Sequence, residues 1–414
     1  MNILFSCDEY PPVKSGGIGT VTKIVAEELA RRGHRVYVVS GVLPEVTLPA
    51  YTIDNGVRIY RLSYFSKFAW IFKNAETGVE TLSLKLLQRS GLLARLAQKE
   101  FVKTHEFIRK IIREKQIDLV EFPDYLKLSD YYKSRVKIDF PKYDIPVVAR
   151  VHGSQSFASY YRNGNIQAVD RYNDSSFFNH ATRILAVSRF SANFVNDKLG
   201  IKRKIDVIYN PLNLKGLLKM AEAISKGGER TKNIVFLGKV VETKGAFKLI
   251  EAYNKLALKH TDYKLIMIGG GEIDKGKSMV KQELRDQVIF TGYQQREIVC
   301  RYLKNATFCA VPSFFENFSM VALEIMALGK ALIFTAAASG REVIEDGVDG
   351  LLVDPHDADE ICKKMEMLAE NETLRENIAQ KAAEKIRNYY TIDTIVSELE
   401  AYYSFDKLTV VCFN

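Results

Sequence analysis

Two rhythms of apolar and polar residues repeat along this chain. Short apolar runs read as buried strands, and longer stretches with apolar positions three and four apart read as helices. Asn2–Ser6 is expected as a strand, Thr20–Arg32 as a helix closed by Gly33, and Arg35–Ser40 as a second strand, together a β-α-β unit. Further strands are expected at Ile117–Phe122, Ile145–Val151, Arg183–Ser188 and Lys204–Tyr209, after which Asn210-Pro211 marks a turn. A helix from Leu214 leads into the polar, breakable segment 226–230. The pattern then begins again, with strands at Asn233–Gly238, Lys264–Gly269, Val288–Gly292, Ala331–Thr335 and Gly350–Val353, and helices over Ala246–Lys259, Asp357–Ala369, Thr373–Tyr389 and Ile392–Tyr402. This alternation predicts an α/β protein of two domains, 1–211 and 212–389.

Composition narrows the class. A chain of 414 residues with 47% hydrophobic content can fill two cores, and 11% aromatic residues argue against disorder. The five cysteines (Cys7, Cys300, Cys309, Cys362, Cys412) are scattered and form no C-x-x-C pair, so neither a disulfide framework nor a zinc site is indicated. The chain reads from Met1 straight into a strand and holds no run of about 18 apolar residues, so a cytoplasmic protein that does not span a membrane is expected. Lysine and arginine (59) outnumber the acids (50), a net charge of +9 that favours anionic partners such as nucleotides, polyphosphates or acidic lipid. No motif of nucleic-acid recognition is present, and no nucleic-acid partner is expected.

From Tyr64 to Ile112 aromatic residues (Phe65, Phe68, Trp70, Phe72) mix with basic ones (Lys67, Lys73, Lys85, Lys99, Lys103). Such a stretch can dock on an anionic membrane face, and equally describes an ordinary helix with one buried side.

The candidate chemistry centres on Val311–Lys330, VPSFFENFSMVALEIMALGK. An apolar run ends at Val311, Pro312-Ser313 breaks it, and a helical pattern starting near Phe318 or Ser319 runs to Gly329. The amides of Ser319, Met320 and Val321 would then be free to hold a phosphate, with Glu316 beside them. Glu324 falls among Ala322, Leu323, Ile325 and Met326, a costly place for a carboxylate unless something donates hydrogen bonds to it. Taken on spacing alone, the plainer reading makes Glu316 a solvated loop charge and pairs Glu324 with a lysine from elsewhere.

The segment ENFSMVALEIMALGK resembles the E-x7-E segment of the retaining glycosyltransferases of family 4, which have the GT-B fold: two Rossmann-like domains facing a central cleft. The Pro11-Pro12 to Gly16-Gly17-Ile18-Gly19 loop and the Val151-His152-Gly153 sequence agree with it. The resemblance implies transfer of a sugar from a nucleoside diphosphate sugar, UDP favoured, to a hydroxyl of a glycan or lipid-linked acceptor, with anomeric retention, in polysaccharide or glycolipid assembly. It gives Glu316 the donor sugar, Ser319 and Met320 the diphosphate, and Glu324 the ribose hydroxyls. Phe318 and Val321 fall in the same segment, and the backbone near Tyr293 and Gln294 is expected to receive the base. His152 matches the family's catalytic acceptor-side histidine and is expected to contact the donor sugar and the acceptor. Lys239 and Lys244 can hold the diphosphate as point charges, although the family carries arginine where Lys239 stands. Gly16 and Gly17 let backbone amides approach a phosphate or sugar, or form a flexible turn. The family also implies that 390–414 crosses back to the first domain, that the enzyme is peripheral at the inner membrane face when its acceptor is lipid-linked, and that no metal or cofactor is used. Asp357-Ala358-Asp359 formally gives a metal-binding D-x-D, but Asp357 before Glu360 reads as a helix cap. The alternatives are a GT-B sugar-nucleotide epimerase or hydrolase, and a non-catalytic sugar-nucleotide-binding subunit.

Overall fold

The computed structural model describes residues 1–13, 16–68, 87–224 and 232–404. The chain divides into two compact units, Met1–Tyr209 with the residues from Val396 onward, and Asn210–Ile395. The division falls at Tyr209 rather than 211, and the chain returns to the first unit at Val396 rather than 390.

The first unit is built on an eight-stranded sheet of β1 (Asn2–Ser6), β2 (Arg35–Val42), β3 (Tyr51–Asp54), β4 (Val57–Ser63), β5 (Leu119–Pro123), β6 (Val147–Val151), β7 (Arg183–Ala186) and β8 (Ile205–Val207). Their order is β3-β4-β2-β1-β5-β6-β7-β8, and every pairing is parallel except β3 with β4. Ile3, Leu4, Val36 and Val38 are fully buried, as strands covered on both faces by helices require. The helix after β1 spans Gly17–Arg31, three residues earlier than its apolar pattern suggests, so Gly17 is its first residue rather than part of the loop.

Helix Leu92–Lys115 turns Leu93, Ala97, Phe101, Ile108 and Ile111 inward and leaves Lys99 and Lys103 exposed. Phe65 is buried as well. In the described part of the aromatic and basic stretch Phe65 and Phe101 are packed into the core while Phe68 is half-buried, the pattern of a helix and its lead-in with one buried side. Trp70, Phe72, Lys73 and Lys85 lie outside the described residues. No helix among the described residues is long and apolar enough to cross a membrane.

The second unit has a six-stranded parallel sheet of β9 (Lys232–Leu237), β10 (Tyr263–Ile268), β11 (Val288–Gly292), β12 (Phe308–Val311), β13 (Leu332–Thr335) and β14 (Leu351–Val353), in the order β11-β10-β9-β12-β13-β14. The core of this unit gathers Ile234, Phe236, Leu265, Met267, Phe308 and Ile333 with the apolar faces of helices Ala246–Leu256 and Ala358–Glu370. Strand order decides where a ligand can go. From β9 the chain builds β10 and β11 outward on one side, then crosses to lay β12, β13 and β14 on the other. The loops leaving the carboxyl ends of β9 and β12 therefore diverge, and such a switch point opens a crevice in an open α/β sheet.

Candidate active site

Lys244 and Glu316 come from the two loops that meet at this switch point. The loop after β9 ends in a single turn, Glu242–Lys244, followed by Gly245. Gly245 has φ of 68°, and a Cβ there would lie 1.8 Å from the Pro312 carbonyl oxygen, so the position accepts only glycine. That close approach locks the turn against the loop after β12, and the Phe314 amide donates to the Thr243 carbonyl at 3.0 Å. With the two loops held together, Lys244 Nζ stands 2.6 Å from Glu316 Oε1. The side chains are 35% and 14% exposed, so the carboxylate is no solvated loop charge. From the other side the Glu316 carbonyl accepts the Ser339 hydroxyl at 2.8 Å.

Past Glu316, Ser319 adopts an extended conformation and its hydroxyl accepts the Ala322 amide at 3.3 Å, capping helix Met320–Ala327. The amides of Ser319, Met320 and Val321 have no acceptor among the described residues, as the geometry of a helix start dictates. They carry the positive end of the helix dipole next to Lys244 and Glu316, an arrangement suited to a phosphate. The Phe318 ring is turned inward, 7% exposed and 5.8 Å from the ring of Tyr390. It is a foundation under the cap, and only its backbone is available to a ligand.

Glu324 is 16% exposed on a helix whose Ala322, Leu323, Ile325 and Met326 are fully buried. Its partner is Arg296 Nη2 at 2.8 Å, an arginine where the plainer reading offers a lysine. Arg296 is the first residue of helix Arg296–Lys304. A cation in the first turn opposes the helix dipole, and that oddity is the sequence signal that could have singled it out.

The ends of β9, β10 and β11 draw together on this edge. Gly238 donates to Ile268 at 3.0 Å, Gly269 to Gly292 at 2.9 Å, and Val240 to Gly270 at 2.8 Å. Lys239 is exposed there and makes no ion pair among the described residues. Tyr293 is 76% exposed, while Gln294 Nε2 donates to the Thr291 carbonyl at 2.7 Å. Lys239, Lys244, Tyr293, Gln294, Glu316, Ser319, Met320, Val321 and Glu324 thus share one edge of the second unit, with the Phe318 ring turned into its core, and Gly16, Gly17 and His152 lie in the first.

Two family profiles divide the chain at nearly the point where its structure does. One described as Glycosyltransferase Family 4 matches residues 15–215, and one described as Glycosyl transferases group 1 matches 221–385. This chain is a family 4 glycosyltransferase. An uncharacterized glycosyltransferase of Methanocaldococcus jannaschii is 25% identical over 96% of both chains. The phosphatidyl-myo-inositol mannosyltransferase of Mycolicibacterium smegmatis is 24% identical over 90% of this chain and 86% of its own. Among solved structures, the sucrose-phosphate synthase of Thermosynechococcus elongatus superposes with a TM-score of 0.74 at 17% identity, covering 97% of this chain and 98% of its own. The Anabaena protein HepE in complex with UDP-glucose gives 0.66 at 16% identity, covering 98% and 100%. The fold of the glycosyltransferase is GT-B.

In the first unit of the glycosyltransferase, β1 is flanked by β2 and β5, so the loops after β1 and β5 diverge in turn. Asp8 binds both together, accepting the Lys127 amide at 2.9 Å and the Gly41 amide at 2.9 Å. Burial pushes its carboxyl up to about 6. The Gly16 amide, expected to be open to a phosphate, donates to Glu9 Oε2 at 3.0 Å, while a Cβ on Gly17 would meet open space. His152 follows β6 and is half-buried; burial, then the nearby charge of Arg150, holds its imidazole well below the usual range and therefore neutral at pH 7. Its amide and that of Gly153 donate to Asp124, a residue that the sequence pattern does not single out. Asp357 Oδ1 accepts the amides of Asp359 and Glu360 at 2.8 and 3.0 Å, the helix cap expected of it.

Proposed function

We propose that this glycosyltransferase moves a sugar from a nucleoside diphosphate sugar, with UDP favoured, to a hydroxyl of a glycan or lipid-linked acceptor, with retention at the anomeric carbon. The observation that carries the proposal is the Lys244–Glu316 pair, held at the sheet's switch point beside three unbonded helix amides. The donor's diphosphate takes the amides of Ser319, Met320 and Val321 and the charge of Lys244, with Lys239 as a second cation. Glu324 takes the ribose hydroxyls with the oxygen that Arg296 leaves open, and the base lies along Tyr293 and Gln294.

As the bond between the anomeric carbon and the diphosphate oxygen breaks, negative charge grows on the leaving group. Fixed amides and Lys244 stabilise that charge at little reorganisation cost. The acceptor oxygen bonds to the anomeric carbon on the face the diphosphate leaves, and its proton passes to a diphosphate oxygen. Glu316, engaged by Lys244 through one oxygen, orients the sugar with the other and forms no covalent intermediate. Neutral His152 can accept a hydrogen bond from a sugar hydroxyl. Lys244, Lys239 and the amides supply the charge that a metal would, so the reaction proceeds without one.

The UDP complexes of HepE and the phosphatidyl-myo-inositol named as the acceptor of the mycobacterial relative support a UDP donor and a glycolipid acceptor. Thermal-shift screening with UDP-, GDP- and ADP-sugars identifies the donor, and product analysis with and without acceptors follows. Glu316→Ala and Lys244→Ala should each lower turnover by about 10²-fold while the protein stays folded. Near wild-type rates in both would contradict the site. Release of free sugar from donor alone, at the rate seen with acceptor, would favour a hydrolase, and binding without turnover a sensor.

A further inference from the structure

His152 sits where β6 ends and the chain turns into helix Gln155–Asn163. At Gly153 φ is 132°, a value that L side chains rarely adopt, and the turn brings two successive amides to face one point. At that point lies the carboxylate of Asp124. Its Oδ1 is 2.8 Å from the His152 nitrogen, and its two oxygens are 3.1 and 3.0 Å from that of Gly153. Consecutive amides converging in this way make an anion-binding nest, and here the chain fills it with its own acid.

On the far side of the turn Asp174 does the same for the new helix. Its Oδ2 accepts the Ser156 amide at 2.9 Å, at the helix start where negative charge is favoured. Asp124 follows β5 and Asp174 lies in helix Ala168–His180, so two separate elements grip the same few residues. The two carboxyls are 9% and 7% exposed, too buried to meet a substrate, and both line a cavity of about 50 Å³. Asp170, Lys133 and Gln155 face the same cavity, and Arg150 lies behind Asp124, whose amide donates to the Arg150 carbonyl at 2.9 Å.

We propose that Asp124 and Asp174 are positioning residues for His152, a pair of carboxylates that clamp the turn running from its own amide to the start of the next helix and so hold its ring in one orientation. The inference deepens the reading of His152 as a group that contacts the donor sugar and rests on it for its importance to turnover. The clamp itself can be tested without substrate.

Selectively labelled histidine in the full chain, with the His152 signals identified by their loss in His152→Gln, gives a direct nuclear magnetic resonance readout. In the wild type the His152 amide proton should follow Asp124 as that group titrates, a step that burial and the negative Asp174 push up to about 7. Asp124→Asn should abolish the step and move the ring signals of His152. Asp174→Asn should move the ring signals and shift the step to lower pH, because a neighbouring negative charge is gone. Ring signals and pH response identical to wild type in folded Asp174→Asn and Asp124→Asn would overturn the clamp. If melting curves show that Asp124→Asn does not fold, Asp174→Asn decides alone.

Turnover of UDP-glucose then separates the clamp from the reading beneath it. Asp124→Asn should lower turnover by about 10-fold, as supporting groups of a functional side chain typically do, and by nothing further in a His152→Ala background. An equal loss in both backgrounds would show that Asp124 does not act through His152. Wild-type turnover in His152→Ala would remove the role of His152 and leave the resonance test of the clamp standing.

Discussion

Among single residues, Arg296 and Glu324 show most plainly how a charge is made tolerable on an apolar helix. Arg296 takes one oxygen of Glu324 at 2.8 Å, and the guanidinium itself is 60% exposed. Because the arginine can reach water while the acid is hemmed in, losing the arginine should disturb the acid more than the reverse. Arg296→Ala is expected to weaken UDP binding by about threefold to tenfold by releasing Glu324 from its position, and Glu324→Ala by more, both read by calorimetry. Equal affinity in all three proteins would remove Glu324 from the ribose site.

Buried acids give the first unit its own pH signature. Asp124 is pushed up to about 7 and Asp8 to about 6, in both cases chiefly by burial. An aspartate in an unfolded chain titrates near 3.9, so both groups hold a proton more tightly when folded. The stability they contribute is therefore complete below about pH 4 and is lost as pH rises through about 6 to 7. Asp124→Asn cannot titrate. Urea unfolding should show its stability relative to wild type improving between pH 5 and pH 8, and a constant difference would mean that Asp124 is ionised throughout.

For the elements, the decisive feature is how two loops become one surface. Gly245→Ala would drive a methyl group to 1.8 Å from the Pro312 carbonyl oxygen, so the turn carrying Lys244 must move. We expect a loss of about 1–3 kcal/mol of stability and a larger relative fall in donor affinity, measured by thermal melting and calorimetry. Ser319→Ala, which removes the helix cap, should cost about 1 kcal/mol.

The strand–loop–helix around Glu316 was legible in the sequence because its signals are local: an apolar run, a Pro-Ser break, a capping serine and a terminal glycine. The alternation of strands and helices likewise announced two α/β units. What stayed hidden was held over distance. Nothing near Lys244 announces that its amine meets an acid 72 residues away, and the Asp124 contact with His152 spans 28. The β3–β4 hairpin does carry a strong local signal in its Asn55-Gly56 turn, with φ of 47° and 83°. The sequence leaves the Gly16 loop as either a phosphate approach or a flexible turn, because the carboxylate that takes its amide, Glu9, belongs to the same loop and looks like any surface charge.

Over the whole molecule, the chain leaves the first unit after Tyr209 and rejoins it at Val396, so this unit depends on a helix separated from the rest of it in sequence by the whole second unit. Within it, Val396 and Leu399 are fully buried, Glu400 binds Arg32 at 2.6 Å and His34 at 2.7 Å, and the Tyr403 hydroxyl donates to Glu121 at 2.5 Å. Truncation after Ile395 would strip that cover and leave Glu121 buried without the tyrosine. The first unit should then melt well below its normal temperature, while the second keeps its own transition in differential scanning calorimetry. A single unchanged transition would contradict this account of the helix.

The central claim is that loops meeting at the second sheet's switch point hold a nucleoside diphosphate through Lys244 and the amides that follow Phe318. Isothermal calorimetry of UDP, GDP and ADP against the full chain tests it most directly. The account predicts that at least one of them binds the wild type and binds Lys244→Ala at least about tenfold more weakly, a loss of about 1.4 kcal/mol. Binding of none, or equal binding to wild type and folded Lys244→Ala, would contradict it.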